Sequence, residues 1–188
     1  MLRRGGGFSK NLKRPNPGRA EGIEKISRGG PERFVLDVHL GRLARYLRML
    51  GFDSLYGKSF SDDDLIRLMR SERRTLLTRD QNLLRRNAVT RGYLIRSRVP
   101  VRQAAEVILR FDLFKKVQPL SRCLICNTPV AGVAKADIAD RLPPKTRNGF
   151  DEFRQCPGCR RVYWKGAHTL KMLQTIKHIL EEAASPEE

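Results

Sequence analysis

The chain is poor in several residue types, and each shortage excludes a class of protein. Its 188 residues include four cysteines and one tryptophan, and only 7% are aromatic. No apolar run approaches the ~18 residues of a membrane-spanning helix, so we expect no membrane partner. Residues 1–7 are basic but no apolar segment follows them, so we predict no secretory signal and a cytoplasmic location.

Acidic residues are also scarce relative to basic ones. There are 38 Lys and Arg against 20 Asp and Glu, a net charge of +18. Such an excess favours a polyanionic partner, nucleic acid before an acidic membrane surface, although a merely solubilising surface is the alternative. With 40% hydrophobic residues the chain can bury a core, which excludes disorder of the whole protein.

Composition, hydrophobic pattern and charge divide the chain into four parts. Residues 1–33 are rich in Gly, Pro, Arg and Lys without hydrophobic periodicity, which predicts a disordered basic arm. Residues 34–118 carry the largest share of the charge, with 18 basic and 9 acidic side chains. Residues 119–182 contain all the cysteines, and 183–188 form an acidic tail that we expect to fray together with the preceding Glu181 and Glu182.

Strand and helix patterns alternate through residues 34–118. A short apolar run at 34–37 and strand-like segments at 52–56, 75–78 and 93–95 predict strands, and helical patterns are found at 40–50, 61–69, 81–88 and 101–111. In the first helix Arg42, Arg45 and Arg48 are offset from the leucine stripe, and Gly51 suits the C-cap. The alternation predicts a small parallel sheet of four or five strands in a three-layer α/β fold.

The four cysteines form two Cys-x-x-Cys motifs. Each motif presents two thiolates to one ion, so together they match the tetrahedral sulfur site that Zn²⁺ prefers. The spacing between the motifs is longer than in a usual ribbon, which predicts a ribbon with an inserted loop. Disulfides or a redox dithiol are the alternatives. We therefore predict structural zinc, bound by Cys123, Cys126, Cys156 and Cys159.

The end of the chain shows a last helical pattern. A stripe of Leu170, Leu173, Ile176 and Leu180 predicts a helix over residues 168–180. His168, at its start, suits a cap or packing role better than that of a metal ligand or phosphate contact.

Several acids fall at one edge of the predicted sheet. Asp37 ends the first strand, Asp80 follows the third, and Asp62, Asp63 and Asp64 begin the helix after Ser61, a predicted N-cap. Carboxylates that converge there would repel one another unless a cation joined them, and Mg²⁺ or Mn²⁺ suits oxygen ligands. Each acid alone has the alternative of a cap or an exposed ion pair.

These motifs, taken in order, resemble a known family. The runs at residues 34–37, 40–53, 61–65, 76–80, 122–127 and 156–168 together resemble the PIN-like ribonuclease family named after the C-terminal domain of the exonuclease Mut-seven. The resemblance implies a PIN-like domain followed by a zinc ribbon, with nuclease activity that depends on a metal and acts mostly on single-stranded RNA. It implies Asp37, Asp62 and Asp80 as the acids that hold the metal, with Asp63 as an alternative to Asp62.

We therefore predict a ribonuclease dependent on Mg²⁺ or Mn²⁺. Thr78 is a candidate to hydrogen-bond a carboxylate or a metal-bound water. The candidates to contact RNA are Arg42, Arg45, Arg79 and Lys165. The alternative is a non-catalytic module that binds RNA, the ribosome or tRNA, with Tyr163 and Trp164 stacking on bases unless they pack in the ribbon.

Overall fold

The computed structural model describes residues 32–185. Four parallel strands form one sheet in the order β2-β1-β3-β4, which confirms the predicted α/β class. The strands are β1 (Arg33–Leu36), β2 (Asp53–Tyr56), β3 (Thr75–Thr78) and β4 (Gly92–Leu94). The predicted basic arm lies outside the described residues, apart from its last two positions.

Four helices connect and flank these strands. They are α1 (Gly41–Met49), α2 (Asp62–Ser71), α3 (Gln81–Arg85) and α4 (Pro100–Arg110). The helix α3 is shorter than the predicted stretch to residue 88, because Arg86 adopts an extended conformation with ψ of 130°. The predicted N-cap Ser61 is confirmed, and its side chain forms a capping box with Asp64.

The sheet has a hydrophobic layer on each face. Alternate side chains of β1 point to opposite faces: Phe34 and Leu36 pack with α1 and α4, whereas Val35 packs with α2 and α3. This alternation follows from the two-residue period of a strand. The result is the predicted three-layer arrangement, with both faces of the parallel sheet covered.

The cysteine region forms a separate antiparallel sheet. Its strands are β5 (Ala131–Val133), β6 (Phe153–Gln155) and β7 (Val162–Trp164), in sequential order. The predicted insert holds a 3₁₀ helix (Lys135–Arg141) and α5 (Pro144–Gly149). Ile138 and Leu142 of the insert pack against Phe153 and Trp164, so the inserted segment has a small core of its own.

The last helix, α6 (Ala167–Ala184), corrects two predictions. It continues through the acidic residues that were expected to fray, as far as Ala184. It also buries a different face: Leu170 is 61% exposed and Leu173 41%. The buried residues, spaced by 4, 3 and 4, lie within a narrower arc than the predicted stripe; they are Met172, Ile176, Ile179 and Ala183.

That buried face joins the core of the four-stranded sheet. The helix packs chiefly on α4 and also touches α1, although the sequence grouped it with the ribbon. It therefore closes the outer side of the layer formed by α1 and α4. Within residues 32–185, no helix combines the length and the apolar character needed to cross a membrane.

Arg48 is buried, unlike the other two arginines of its series. The sequence pattern groups it with Arg42 and Arg45, offset from the leucine stripe, but it is only 5% exposed. Each step of three residues turns about 60° around a helix, so the third arginine of the series reaches the side that faces the cysteine region. Its contacts there are structural and are described below.

Candidate active site and cysteine centre

The carboxyl ends of β1 and β3 meet where the strand order of the sheet changes direction. From β1 the chain builds β2 on one side, then passes to the other side for β3 and β4. Ligands of open α/β sheets bind outside the strand ends at such a switch point. Asp37 follows β1 directly and Asp80 lies two residues beyond β3, so both acids flank this point.

Asp37 is a buried carboxylate, only 7% exposed. One oxygen accepts a hydrogen bond from the Thr78 hydroxyl at 2.7 Å, and the other accepts from the His39 backbone N–H at 3.4 Å. Among residues 32–185, Asp37 forms no ion pair with any basic side chain. A buried carboxylate without a cationic partner is costly, so this position suits a bound cation.

Thr78 links the two strand-end acids. Its buried hydroxyl donates to Asp37 and accepts from the backbone N–H of Asp80 at 2.9 Å. The predicted contact between Thr78 and a carboxylate is therefore present. Because one hydroxyl touches both acidic positions, it fixes the orientation of Asp37 relative to the start of α3.

The turn after β1 is held by Tyr56. The Tyr56 hydroxyl donates to the Val38 carbonyl at 3.0 Å, which anchors the 3₁₀ helix Val38–Leu40. A side chain at Gly41 would place its Cβ 2.8 Å from the Tyr56 oxygen. Glycine at this position therefore permits the close approach that sets the backbone around Asp37.

Asp80 and Asp62 are the exposed acids of the same site. Asp80 caps α3, accepting from the backbone N–H groups of Asn82 at 2.7 Å and Leu83 at 3.3 Å. Asp62 is the first residue of α2. With Asp37 and Arg79 they line one open cavity of about 610 Å³, which we call the acidic cleft.

The other two acids of α2 point elsewhere. Asp63 pairs with Arg86 at 2.7 Å, and Arg86 also approaches Asp62 at 3.6 Å. Asp64 is occupied by the capping box and by Arg67; the hydrogen bonds from Arg67 and Ser61 lower the pKa of Asp64 to about 2. Neither acid lines the acidic cleft, so the geometry favours Asp62 over Asp63 as its third acid.

The donor set of the cleft suits a hard cation that keeps part of its water. Among residues 32–185 the four cysteines form a cluster of ligand atoms close enough to share an ion, whereas the acids of the cleft do not form such a cluster. Mg²⁺ is commonly held by one or two carboxylates and several waters. An open cleft with one buried carboxylate and two exposed ones fits that mode of binding.

The predicted RNA contacts separate into two groups. Arg79 lines the acidic cleft, and Arg42 and Arg45 are exposed on α1; none of the three has an ion-pair partner among residues 32–185. Lys165 instead pairs with Glu152 at 2.6 Å and lies at a different cavity in the ribbon. The structure thus leaves three arginines available and engages the lysine.

Some cleft residues were missed by the sequence reading. His39, Phe60, Gln81 and Asn82 also line the acidic cleft. His39 lies two residues after Asp37, a proximity that could have indicated it. The other three have no chemical signature in the sequence, because only the folded loops bring them to the strand ends.

The four cysteines form a compact centre. Their sulfur atoms all lie within 4.8 Å of one another, with Cys123 and Cys159 3.5 Å apart and Cys126 and Cys156 3.3 Å apart. Four thiolates at about 2.3 Å from zinc would lie about 3.8 Å apart in a tetrahedron. The cluster can therefore hold a structural zinc ion with little movement of the sulfurs, and its two motifs supply a closed ligand set.

The two cysteine turns have matching backbones. In each turn the N–H of the second cysteine points to the first sulfur, at 3.5 Å for Cys126 and 3.4 Å for Cys159. The residue after the second cysteine is left-handed in both, with φ of 70° at Asn127 and 61° at Arg160. These turns aim backbone donors at sulfur, an arrangement that stabilises thiolates.

Hydrogen bonding makes the thiols unequal. Burial raises the pKa of Cys126, but hydrogen bonds with Thr128 and neighbouring sulfurs lower it to about 6. A backbone hydrogen bond from Arg161 lowers the pKa of Cys159, but burial and the other sulfurs raise it to about 12. The Tyr163 hydroxyl lies 3.1 Å from the Cys123 sulfur, so Tyr163 serves the cysteine centre and does not present its hydroxyl to solvent.

A polar network joins the first cysteine turn to the sheet. The buried Arg48 donates to the carbonyls of Ser54 at 2.9 Å, Leu124 at 3.3 Å and Ile125 at 2.8 Å. The side chain of Asn127 donates to Asp53 at 2.7 Å and accepts from the Ser54 N–H at 3.0 Å. The centre and the edge strand β2 are therefore one connected structure.

Asp53 is the charged residue at the centre of this hydrogen-bond network. It accepts from Asn127 and from Arg74 at 2.6 Å, and Arg33 approaches at 3.3 Å. Burial raises the pKa of Asp53, but the hydrogen bonds from Arg74 and Asn127 outweigh it and hold this pKa below its usual value. The resulting carboxylate is strongly favoured at neutral pH.

Comparison with protein-family models identifies a family for this chain. The family model described as the Mut7-C RNAse domain matches residues 32–176. That range includes the sheet, the acidic cleft and the cysteine centre, and covers more than half of the chain. No curated protein and no solved structure matches the chain significantly.

Proposed function

This chain belongs to the Mut7-C RNAse domain family, and we propose that it is a ribonuclease that needs Mg²⁺ or Mn²⁺ and hydrolyses single-stranded RNA. The observation that carries the metal dependence is the state of Asp37. A chain with 38 basic residues leaves this buried carboxylate, and Asp80 beside it, without an ion pair among residues 32–185.

Asp37, Asp62 and Asp80 are the residues that would hold the metal. Held by these acids, a divalent ion would supply an activated water and would neutralise charge on a phosphate. Thr78 keeps the Asp37 carboxylate oriented through its 2.7 Å hydrogen bond. Arg79, at the wall of the cleft, attracts the phosphodiester and orients it against the acids.

The surrounding arginines account for substrate attraction. Arg42 and Arg45 lie three residues apart on α1 and therefore project on the same side of it. Both are exposed and lack ion pairs within the described part of the chain. A flexible, negatively charged strand suits this surface better than a small neutral substrate.

The test is RNA cleavage with matched variants. Purified wild-type protein should cleave labelled single-stranded RNA with Mn²⁺ and should fail with EDTA. Asp37→Asn should lower the rate more than about a hundredfold, since even residues that only support metal ligands typically contribute 10–100-fold. The matched control is Asp63→Asn, which removes a neighbouring acid that points away from the cleft and should retain most activity.

Metal-independent cleavage, or an Asp37→Asn variant as active as the wild type, would contradict this mechanism. The second candidate function is a non-catalytic module that binds RNA, the ribosome or tRNA. It is favoured by one observation, namely that the cleft oxygens are less closely gathered than the cysteine sulfurs. Salt-sensitive RNA binding that survives loss of Asp37 and Asp80, without cleavage, would establish it.

A further inference from the structure

A second cavity lies between α1, the first cysteine turn, β7 and α6. Its volume is about 320 Å³, within the lower range of small-ligand sites, and we call it the ribbon cavity. Its basic or ionisable side chains are those of Arg45, Arg161 and His168. Its aromatic and apolar wall includes Ile125, Tyr163 and Trp164.

The charge of the ribbon cavity is one-sided. No Asp or Glu among residues 32–185 lines it. Within residues 32–185, Arg45 and Arg161 have no ion pair and no hydrogen bond through their guanidinium groups. Two uncompensated arginines against an aromatic and apolar wall form the combination that binds single-stranded nucleic acid, with cations for phosphate and rings for bases.

A neighbouring cavity provides an internal contrast. It shares part of its lining with the ribbon cavity, including Tyr163 and Trp164, has a volume of about 290 Å³, and is also lined by basic residues. Those residues are already engaged: Arg122 and Arg154 donate to backbone carbonyls, and Lys165 pairs with Glu152. Of these two cavities, the ribbon cavity is therefore the one whose arginines are free to bind an anion.

The helix α1 connects the ribbon cavity to the acidic cleft. Asp37 stands before its first turn, Arg42 lies on that turn, and Arg45 reaches the ribbon cavity one turn later. Eight residues separate Asp37 from Arg45, which amounts to about 12–16 Å at helical rise. A single strand of a few nucleotides can span that distance.

We propose that the ribbon cavity binds one nucleotide of an RNA strand, and that the acidic cleft binds a phosphodiester of the same strand. In the ribbon cavity, Arg45 and Arg161 contact the phosphate of the nucleotide, and Trp164 contacts its base. The inference rests on the proposed function, since RNA is the ligand. It assigns to the cysteine region a role in holding substrate, beyond stabilising the fold.

The only tryptophan of the chain, Trp164, lines the ribbon cavity and its neighbour, so its fluorescence detects RNA at either cavity and the arginine variants identify which cavity binds it. The experiment uses the full zinc-loaded chain with Asp37→Asn, so that RNA is not consumed. A labelled oligouridylate of about twelve nucleotides, near the site sizes of single-strand binders, is titrated while tryptophan fluorescence and label anisotropy are recorded. We expect binding to change the Trp164 emission with the same midpoint as the anisotropy.

Arg45→Gln and Arg161→Gln should each weaken binding by roughly threefold or more and lower the salt slope by about 0.7, the value of one phosphate contact on a single strand. Arg147→Gln is the matched control. Arg147 is an exposed arginine on α5 that lines neither cavity, so its loss removes the same charge and should change affinity far less.

Two results would overturn the proposal. One is RNA binding that leaves the Trp164 emission unchanged; the other is an equal effect of all three arginine substitutions, which would indicate diffuse attraction only. Because all three arginines are exposed, circular dichroism and zinc content should match between variants. This experiment measures RNA binding by an inactive variant. A negative result here can therefore be told apart from a lack of RNA cleavage by the wild type.

Discussion

The cysteine centre and the acidic cleft are both suited to a cation, but they are built differently. The cysteine sulfurs are already gathered, two of them fully buried, and backbone N–H groups point at them. In the acidic cleft only Asp37 is buried, whereas Asp62 and Asp80 are exposed at the starts of separate helices. A closed set of ligands suits a structural ion, and an open set leaves room for water and substrate.

The two sites also differ in their connection to the rest of the fold. Arg48, Asp53 and Asn127 bind the cysteine centre to β2 through buried hydrogen bonds. The acidic cleft is held mainly through Thr78 and the cap of α3. Damage to the centre should therefore spread through the fold, whereas damage to the cleft should stay local.

The largest effect is expected from Cys123→Ser. Cys123 is fully buried, and loss of one ligand should release zinc and lower the free energy of unfolding by more than about 3 kcal/mol, because metal binding and folding are coupled. Metal analysis and urea unfolding measure both effects. Tyr163→Phe is the graded control: it removes one hydrogen bond to Cys123, keeps the zinc, and should destabilise by about 1 kcal/mol. If the Cys123→Ser protein kept one zinc per chain and an unchanged urea midpoint, the cysteine centre would not have the structural role described here.

An intermediate effect on stability is expected at Asp53, which connects β2 to the first cysteine turn. Asp53→Asn leaves the buried Arg74 with Glu72 as its remaining ion-pair partner and should lower the free energy of unfolding by about 2 kcal/mol. Asp151→Asn, whose ion pair with Lys135 is exposed, should change it by less than about 0.5 kcal/mol. Urea unfolding of each variant beside the wild type measures the difference.

The Asp53 contribution should depend on pH in one direction. Its folded pKa lies below the usual value, so its stabilisation is fully present above the unfolded pKa of about 3.9 and disappears as pH falls through the folded pKa. The gap in unfolding free energy between wild type and Asp53→Asn should therefore narrow below about pH 4. A gap that is constant or widens on acidification would show that the charge of Asp53 is not what stabilises this connection.

The smallest stability effect is expected in the acidic cleft. Asp80→Asn keeps an equally good N-cap and should change the free energy of unfolding by only a few tenths of a kcal/mol, whereas Asp80→Ala should lower it by about 1 kcal/mol. Both should lose most RNA cleavage, since neither retains the carboxylate. Urea unfolding and the cleavage assay separate the two roles, and full activity in Asp80→Asn would remove Asp80 from the proposed metal site.

Much of the fold follows from local sequence. The strands of residues 34–118 are short apolar runs, and Ser61 with Asp64 forms the capping box expected of a helix start. The cysteine spacing predicted the centre because few arrangements other than metal binding bring two Cys-x-x-Cys turns together. The strand-end positions of Asp37 and Asp80 were predictable because parallel strands place their carboxyl ends at one edge.

Other features could not be predicted from local pattern. The choice among Asp62, Asp63 and Asp64 depends on where Arg86 lies, and Arg86 comes from another helix. The sequence predicts Lys165 as an RNA contact, but the fold places Glu152 beside it. The outer face of α6 carries Leu170 and Leu173, so hydrophobicity alone could not identify the face that packs on α4.

By itself, the sequence determined the parallel α/β class, the two Cys-x-x-Cys motifs and the acids at the strand ends, because these depend on periodicity and spacing along the chain. Only the tertiary structure decided that Arg48 is buried, that Asp53 joins the two parts, and that Arg45 and Arg161 share a cavity. Those outcomes depend on pairs 70 or more residues apart, such as Arg48 with Ile125. The charge and partner of such a side chain are settled by the neighbours that folding brings to it, and no local pattern encodes them.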